Sequence, residues 1–416
     1  MLEHKLFTLC LLSIFITTPS QAVDLANVTV APLQPVTVIT EPLPPTQPIK
    51  QQHYAMLDAI HDFEQHAQQP WPRLRLQRSL HPGDHAEAVP LLRHKLWQLG
   101  DLHHLGNNDE LTLYDQALAA ALRQFQARHG LESDAIVGKR TLAALNISPQ
   151  QRLLQLQVNL LRQEQFTRQV GQRYVQVNIP EYRLRVIDGS DSKLEMKIIV
   201  GRKSRKTPIF SSEIDTMVVN PSWYVPKSIA FKDILPKQKT DPEYMTQHNL
   251  KVVTGWGKGI QEIPLEQVDW GNLYTSPQAP RLWEPPGETN TLGQVKFLTP
   301  NRYAVYLHDT SAKSLFNKTN RAFSSGCIRV EQPRLLADTL MQLANSWSAD
   351  QLDTLFSTTD TQRIQLQQPV PLHITYWTAW VDANQQLQFR DDIYRRDQTD
   401  LIALQAEQIT AQPLSN

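Results

Sequence analysis

The sequence predicts an α+β multidomain protein, with a small three-helix bundle followed by a mainly antiparallel β-sandwich or barrel. Three observations lead there. The chain has 416 residues, which suits two or three domains rather than one. Apolar residues recur at helical spacing from Met56 to Leu161, and from Arg173 the period changes to two. Lys plus Arg and Asp plus Glu both count 41, so no global field exists to draw in nucleic acid or an anionic membrane surface.

Residues 1–22 have the pattern of a secretory signal: Lys5, an apolar run Leu6 to Ile16, then small residues at Ser20 and Ala22. The run is short for a membrane span, and an uncleaved anchor is the alternative. Export would put the protein in the periplasm or outside the cell, and the periplasm is expected. Residues 23–50 hold six prolines and little charge and are expected to be an extended linker, as a tether or simply a tail.

An N-terminal helical segment, 51–80, follows. Met56, Ile60, Phe63 and Ala67 set its stripe, Pro70 stops it, and Trp71 and Leu74 are expected to dock it on the next unit. Residues 81–146 carry three helical patterns. Val89, Leu92 and Leu96 precede Gly100; Leu118, Leu122 and Phe125 precede Gly130; a short third runs through Thr141 and Leu145. Residues 147–172 continue as a connecting helix. His103-His104 has no companion cysteine or carboxylate cluster, so no metal and no cofactor is expected.

Short alternating strands then recur: Tyr174 to Ile179, Tyr182 to Val186, Met196 to Val200 and Met217 to Val219. Residues 228–279 are less regular and rich in Trp and Gly. Pro333 to Trp347 has a helical stripe. Residues 346–416 return to strands at Ile364 and Leu372, with a hairpin turning at Asp382-Ala383-Asn384.

The chemistry gathers at Tyr306-Leu307-His308-Asp309-Thr310 and Ser324-Ser325-Gly326-Cys327-Ile328-Arg329. Cys10 is the only other cysteine and would leave with a signal peptide. A lone thiol in an oxidising compartment is either buried or used. A histidine upstream of it is the usual source of a base, although a buried cysteine and a satisfied histidine give the same spacing.

This stretch resembles the L,D-transpeptidases of the bacterial cell wall, whose motif is a His, a gap of this length, then Ser-His-Gly-Cys-hydrophobic-Arg. Ser325 stands where the motif has its second His, as in the larger Gram-negative members. Asn178-Ile179-Pro180, Gly201-Arg202-Lys203, Thr207-Pro208 and Asn220 to Pro226 resemble successive landmarks of that catalytic domain, giving it residues 173–345. Phe125-Gln126, His129-Gly130-Leu131, Asp134 and Val137-Gly138 resemble the peptidoglycan-binding domain found beside wall enzymes. The resemblance implies a helical insertion acting as a lid at 228–279; an ordinary surface insertion with its own core is the alternative.

It also implies roles. Cys327 is the nucleophile and His308 the general base and acid. The His308 ring is oriented by the backbone carbonyl of Asp309, with the Asp309 carboxylate as the rival. The oxyanion is expected to meet the N–H groups of Gly326 and Cys327, and Tyr306 as a second candidate. Arg329 either binds a substrate carboxylate or pins the loop. Ser324 and Ser325 are expected at the substrate, and Trp223 either walls the cleft or belongs to the core. The partners implied are peptidoglycan stem peptides, a tetrapeptide donor and a diaminopimelate amine acceptor, with other wall-synthesis proteins. The reaction implied is 3-3 crosslinking with release of D-Ala. A wall-peptide cysteine hydrolase or amidase, or a non-catalytic peptidoglycan-binding protein, are the alternatives.

Overall fold

Helix α1, Gln47–His66, opens the described part of the chain; the computed structural model describes residues 47–105, 111–344 and 349–400. The expected signal segment, nearly all of the proline-rich linker and the tail beyond 400 lie outside them. The helix begins inside the segment assigned to the linker and ends at His66, ahead of the Pro70 expected to stop it.

The bundle follows from capping and burial. Helix α2 (Val89–Gln98) ends at Gly100, whose φ of +77° suits a residue without a Cβ. Asp115 caps α3 (Gln116–Arg128), accepting from the Leu118 N–H at 2.8 Å. Helix α4 (Lys139–Leu145) completes the unit around Val89, Leu92, Leu96, Leu118, Leu122 and Phe125. The motif residue Gln126 is internal mortar: its amide donates to Asp134, Ile136 and Thr141 and accepts from the Ala135 N–H. Trp71 and Leu74 dock as expected, the indole donating to the Leu145 carbonyl at 3.1 Å. Helix α5 (Pro149–Thr167) starts from a capping box of Ser148 and Gln151.

The strands are β1 (Arg173–Asn178), β2 (Arg183–Asp188), β3 (Asp191–Gly201), β4 (Phe210–Val219), β5 (Trp223–Tyr224), β6 (Lys251–Thr254), β7 (Gln261–Ile263), β8 (Arg281–Glu284), β9 (Val295–Leu298), β10 (Leu307–His308), β11 (Ala322–Ser324), β12 (Ile328–Val330), β13 (Gln362–Thr375), β14 (Ala379–Val381) and β15 (Leu387–Phe389). Eight of them close a ring in the order β3-β12-β10-β9-β4-β13-β1-β2 and back to β3, with β11 added beside β3. The barrel is therefore chosen over the sandwich. Only β1–β13 and β10–β12 pair in parallel within the ring. Alternation fills the interior with Val175, Val177, Leu184, Val186, Met217, Phe297, Leu307 and Ile328. β13 lies beyond residue 345, so the barrel draws one wall from the segment assigned to the C-terminal extension.

The insertion is more than helical. A run of α6 (Lys227–Ile229), a π-turn (Ala230–Ile234) and α7 (Leu235–Thr240), then α8 (Tyr244–Gln247), packs on a four-stranded sheet ordered β5-β8-β6-β7. It has its own core of Val225, Ile234, Met245, Val252 and Leu282. Helix α9 (Pro333–Leu343) seals the barrel with Leu336 and Leu340, and α10 (Ala349–Ser357) follows.

Candidate active site

The register of two short strands builds the site. Leu307 pairs with Ile328 and His308 with Arg329, so Tyr306 lies opposite Cys327 one step earlier. Leu307 and Ile328 are fully buried in the barrel. Period two then turns Tyr306, His308, Cys327 and Arg329 to the outer face. With strands about 4.8 Å apart and a rise of about 3.3 Å per residue, the Cα atoms of His308 and Cys327 are diagonal neighbours at roughly 8 Å. All four line one cleft of about 730 Å3 between the barrel and the insertion. The strand itself is shorter than the sequence suggests. Residues before Leu307 are irregular, with Ala304 at φ +53°, yet the Tyr306 and His308 rings still lie 5.6 Å apart.

His308 is buried, and its Nδ1 donates to the Asp309 carbonyl at 2.5 Å. Nε2 is then the free acceptor. The Asp309 carboxylate is turned away: it accepts from the N–H of Gln294 at 2.9 Å and of Thr310 at 2.6 Å, and from Lys313. Of the two orienters the sequence allows, the geometry selects the carbonyl. Burial, with Arg329 and Lys296 nearby, pulls His308 down to about 3. Burial pushes the Cys327 thiol up, opposed by a hydrogen bond from the Tyr306 backbone N–H and by Arg329. Burial thus disfavours the charged form of both groups, and the Cys327 Sγ lies 4.0 Å from the Ala304 carbonyl. Burial also raises the Tyr306 phenol, and the Trp223 side chain hydrogen-bonds it. Tyr306 therefore stays an O–H donor. Trp223 serves both of its expected places: it lines the cleft and packs on the insertion's core.

Two of the expected residues, Gly326 and Ser324, take other parts. The Gly326 N–H, expected at the oxyanion, donates to the Ser324 hydroxyl at 3.1 Å. That leaves the Cys327 N–H as the uncommitted backbone donor of the pair. Ser324 is buried and donates to the Cys327 carbonyl at 2.5 Å, so it braces the nucleophile's loop instead of meeting substrate. Ser325 is exposed in the cleft, where its hydroxyl accepts from Arg205 at 2.9 Å and Arg202 at 3.3 Å. Arg329 reaches Thr310 at 3.4 Å, while its buried Nε has no partner among the described residues. That leaves a cationic edge toward the cleft.

The insertion supplies what sequence reasoning missed. Asp233, in the π-turn, is bound by both Arg202 and Arg205 and so ties the insertion to the Ser325 loop. Arg202 belongs to a recognised landmark, but nothing local marks Asp233 as its partner. Glu284 is buried in the cleft wall. Its Oε1 accepts from the Thr291 N–H at 3.0 Å, its Oε2 has no partner among the described residues, and burial raises its carboxyl.

The barrel thus presents a thiol and an oriented imidazole in one cleft. Residues 172–357 match the family described as "L,D-transpeptidase catalytic domain" (YkuD), and residues 85–145 match "Putative peptidoglycan binding domain". The chain thus carries a catalytic domain of the YkuD family behind a domain of the peptidoglycan-binding family. A Haemophilus influenzae protein named "Putative L,D-transpeptidase" is 36% identical over 221 residues, 53% of this chain and 44% of that protein. The amidase CwlM of Mycobacterium tuberculosis is 40% identical over 82 residues, 18% of this chain and 20% of its own. The chain spans less than half the length of these curated relatives. Among solved structures, an L,D-transpeptidase from Xylanimonas cellulosilytica has a TM-score of 0.22 and 12% identity, covering 72% of this chain and 99% of that one. No property is transferred from so remote a likeness.

Proposed function

We propose that this protein is an L,D-transpeptidase that forms 3-3 crosslinks in peptidoglycan through a thioester on Cys327. The observation that supports it most is the shared outward face of β10 and β12, which turns Cys327 into the same cleft as a His308 whose Nδ1 is held by a carbonyl. Neutral His308 takes the thiol proton as sulfur attacks the carbonyl between diaminopimelate at position three and D-Ala at position four of a stem tetrapeptide. The oxyanion meets the Cys327 N–H and the Tyr306 hydroxyl. His308 returns the proton to the departing D-Ala nitrogen as the C–N bond breaks, leaving the thioester. The side-chain amine of a neighbouring stem then attacks the thioester and gives its proton to His308. Sulfur leaves and recovers that proton. The insertion over the cleft limits water, favouring transfer over hydrolysis. This substrate places the work in the periplasm.

Intact mass after incubation with purified tetrapeptide muropeptide is the direct test. The expected adduct is the muropeptide less D-Ala, followed by crosslinked dimer, and Cys327→Ala gives neither. A carbapenem is expected to add its full mass to the same sulfur. Free tripeptide without dimer would favour the hydrolase, and an unchanged mass with both reagents would overturn the proposal.

A further inference from the structure

A second pocket sits on the far wall of the barrel. β1 and β10 stand four strands apart in either direction around the ring. The outward residues of β1 are Tyr174 and Gln176, and α5 crosses them with Gln163 and Phe166. Trp377 and Trp380 close the side, leaving a cavity of about 470 Å3 that shares no lining residue with the catalytic cleft.

Its chemistry is specific. Phe166 meets Trp377 edge-on at 5.1 Å and Tyr174 at 5.6 Å, making aromatic walls rather than a collapsed core. The Gln163 amide and the Tyr174 hydroxyl are each more than nine-tenths buried and have no hydrogen-bond partner among the described residues. Neither is sealed away from the cavity. Both are therefore placed to exchange water for a ligand's hydroxyl or amide. The one lining cation, Arg185, is already taken: it grips Glu181 at 2.5 and 2.7 Å and Glu195 at 2.8 Å. Nothing is left to hold a phosphate or carboxylate. The complement is a neutral ligand with apolar ring faces, hydroxyls and amides. That is the description of an N-acetylated sugar.

We propose that this pocket binds a neutral oligosaccharide, the amino-sugar backbone of a wall glycan strand, behind the barrel while a stem peptide is processed in front. It rests on the transpeptidase reading only in naming the wall as the source of the glycan.

The probe is the tetrasaccharide of β-1,4-linked N-acetylglucosamine, titrated into the full chain by calorimetry and tryptophan fluorescence. Saturable binding is expected. Trp377→Ala should weaken it at least tenfold. Ser192→Trp, at an exposed position of β3 on the pocket's edge, should abolish it by filling the space. Both variants should keep the parent's thermal midpoint and carbapenem acylation rate. No binding by the parent up to about 10 mM, weaker than any useful site, overturns the proposal. So does binding that survives both variants, which would move the saccharide to the helical domain. Failure of the transpeptidase reading shows separately, as an unmodified Cys327.

Discussion

His308 carries a proton only far below the pH at which a free imidazole takes one, and that fixes how the acylation rate should depend on acidity. With the ring held down to about 3, the base is still neutral at pH 5. An ordinary histidine of pKa about 6.5 would be roughly 3% neutral there, a loss of about thirtyfold. The carbapenem acylation rate at pH 5 is therefore expected to stay within about twofold of its value at pH 7, and a stopped-flow profile checks it. The orienting carbonyl has its own test. Gly293 sits at φ +59°, and a Cβ there would fall 2.3 Å from the Asp309 carboxylate. Gly293→Ala must push Asp309 aside, and with it the carbonyl that holds His308. Misplacement of about 1 Å can cost about 100-fold. Acylation should fall by that order while circular dichroism at 25 °C stays near the parent's. That His308 and Cys327 belong to one cleft was legible in the sequence through the motif they share. The fate of the Gly326 N–H was not, because the partner of a backbone donor depends on how a loop closes.

Among the elements, β1 to β3 announce themselves by alternation, whereas β13 shows only as separate strand-like runs at Ile364 and Leu372. Its run holds Pro369 and Pro371, which argue against a strand with neighbours on both sides. The structure accommodates Pro369 at a break in the β4 register between Gln365 and Val370, while Pro371 stays in register opposite Glu213. The insertion was legible as a departure from the barrel pattern, but not as a sheet, since β5 to β8 are two to four residues long and pair across up to 60 intervening positions. Its attachment to the catalytic loop turns on Asp233. The pairs with Arg202 and Arg205 are partly exposed, so together they hold the π-turn by about 1 kcal/mol. Asp233→Ala should raise amide exchange across residues 227–240 by roughly fivefold, measured by mass spectrometry. It should also raise the ratio of hydrolysed tripeptide to crosslinked dimer, because a loosened insertion admits water. Unchanged exchange would mean that the insertion's own core anchors it.

At the scale of the whole molecule, the helical half and the barrel are joined through the C-terminal hairpin. Phe389 of β15 is buried with Met56, Phe63 and Leu156, stacks 5.3 Å from His129, and carries Arg152 over its ring at 4.4 Å. Asn159 of α5 exchanges hydrogen bonds with Thr378, and Arg162 pairs with Asp397 at 2.5 Å. These contacts predict a single thermal transition for the parent. Phe389→Ala leaves a cavity where the halves meet, at about 3–5 kcal/mol. Scanning calorimetry should then show the helical half melting first, as a separate transition, with carbapenem acylation at 25 °C preserved. Acid should loosen the same seam. Burial, with Arg128 and Arg152 close by, holds His129 well below its ordinary value. As pH falls below about 6.5 the unfolded chain takes up a proton that the folded one refuses, so stability is lost across that window. His308 adds to the same loss within the barrel, so the seam must be read locally. Amide exchange at residues 125–131 should accelerate between pH 7 and pH 4.5, after correction for intrinsic rates, ahead of the barrel strands. Equal acceleration of both would mean that the two halves unfold only as one body.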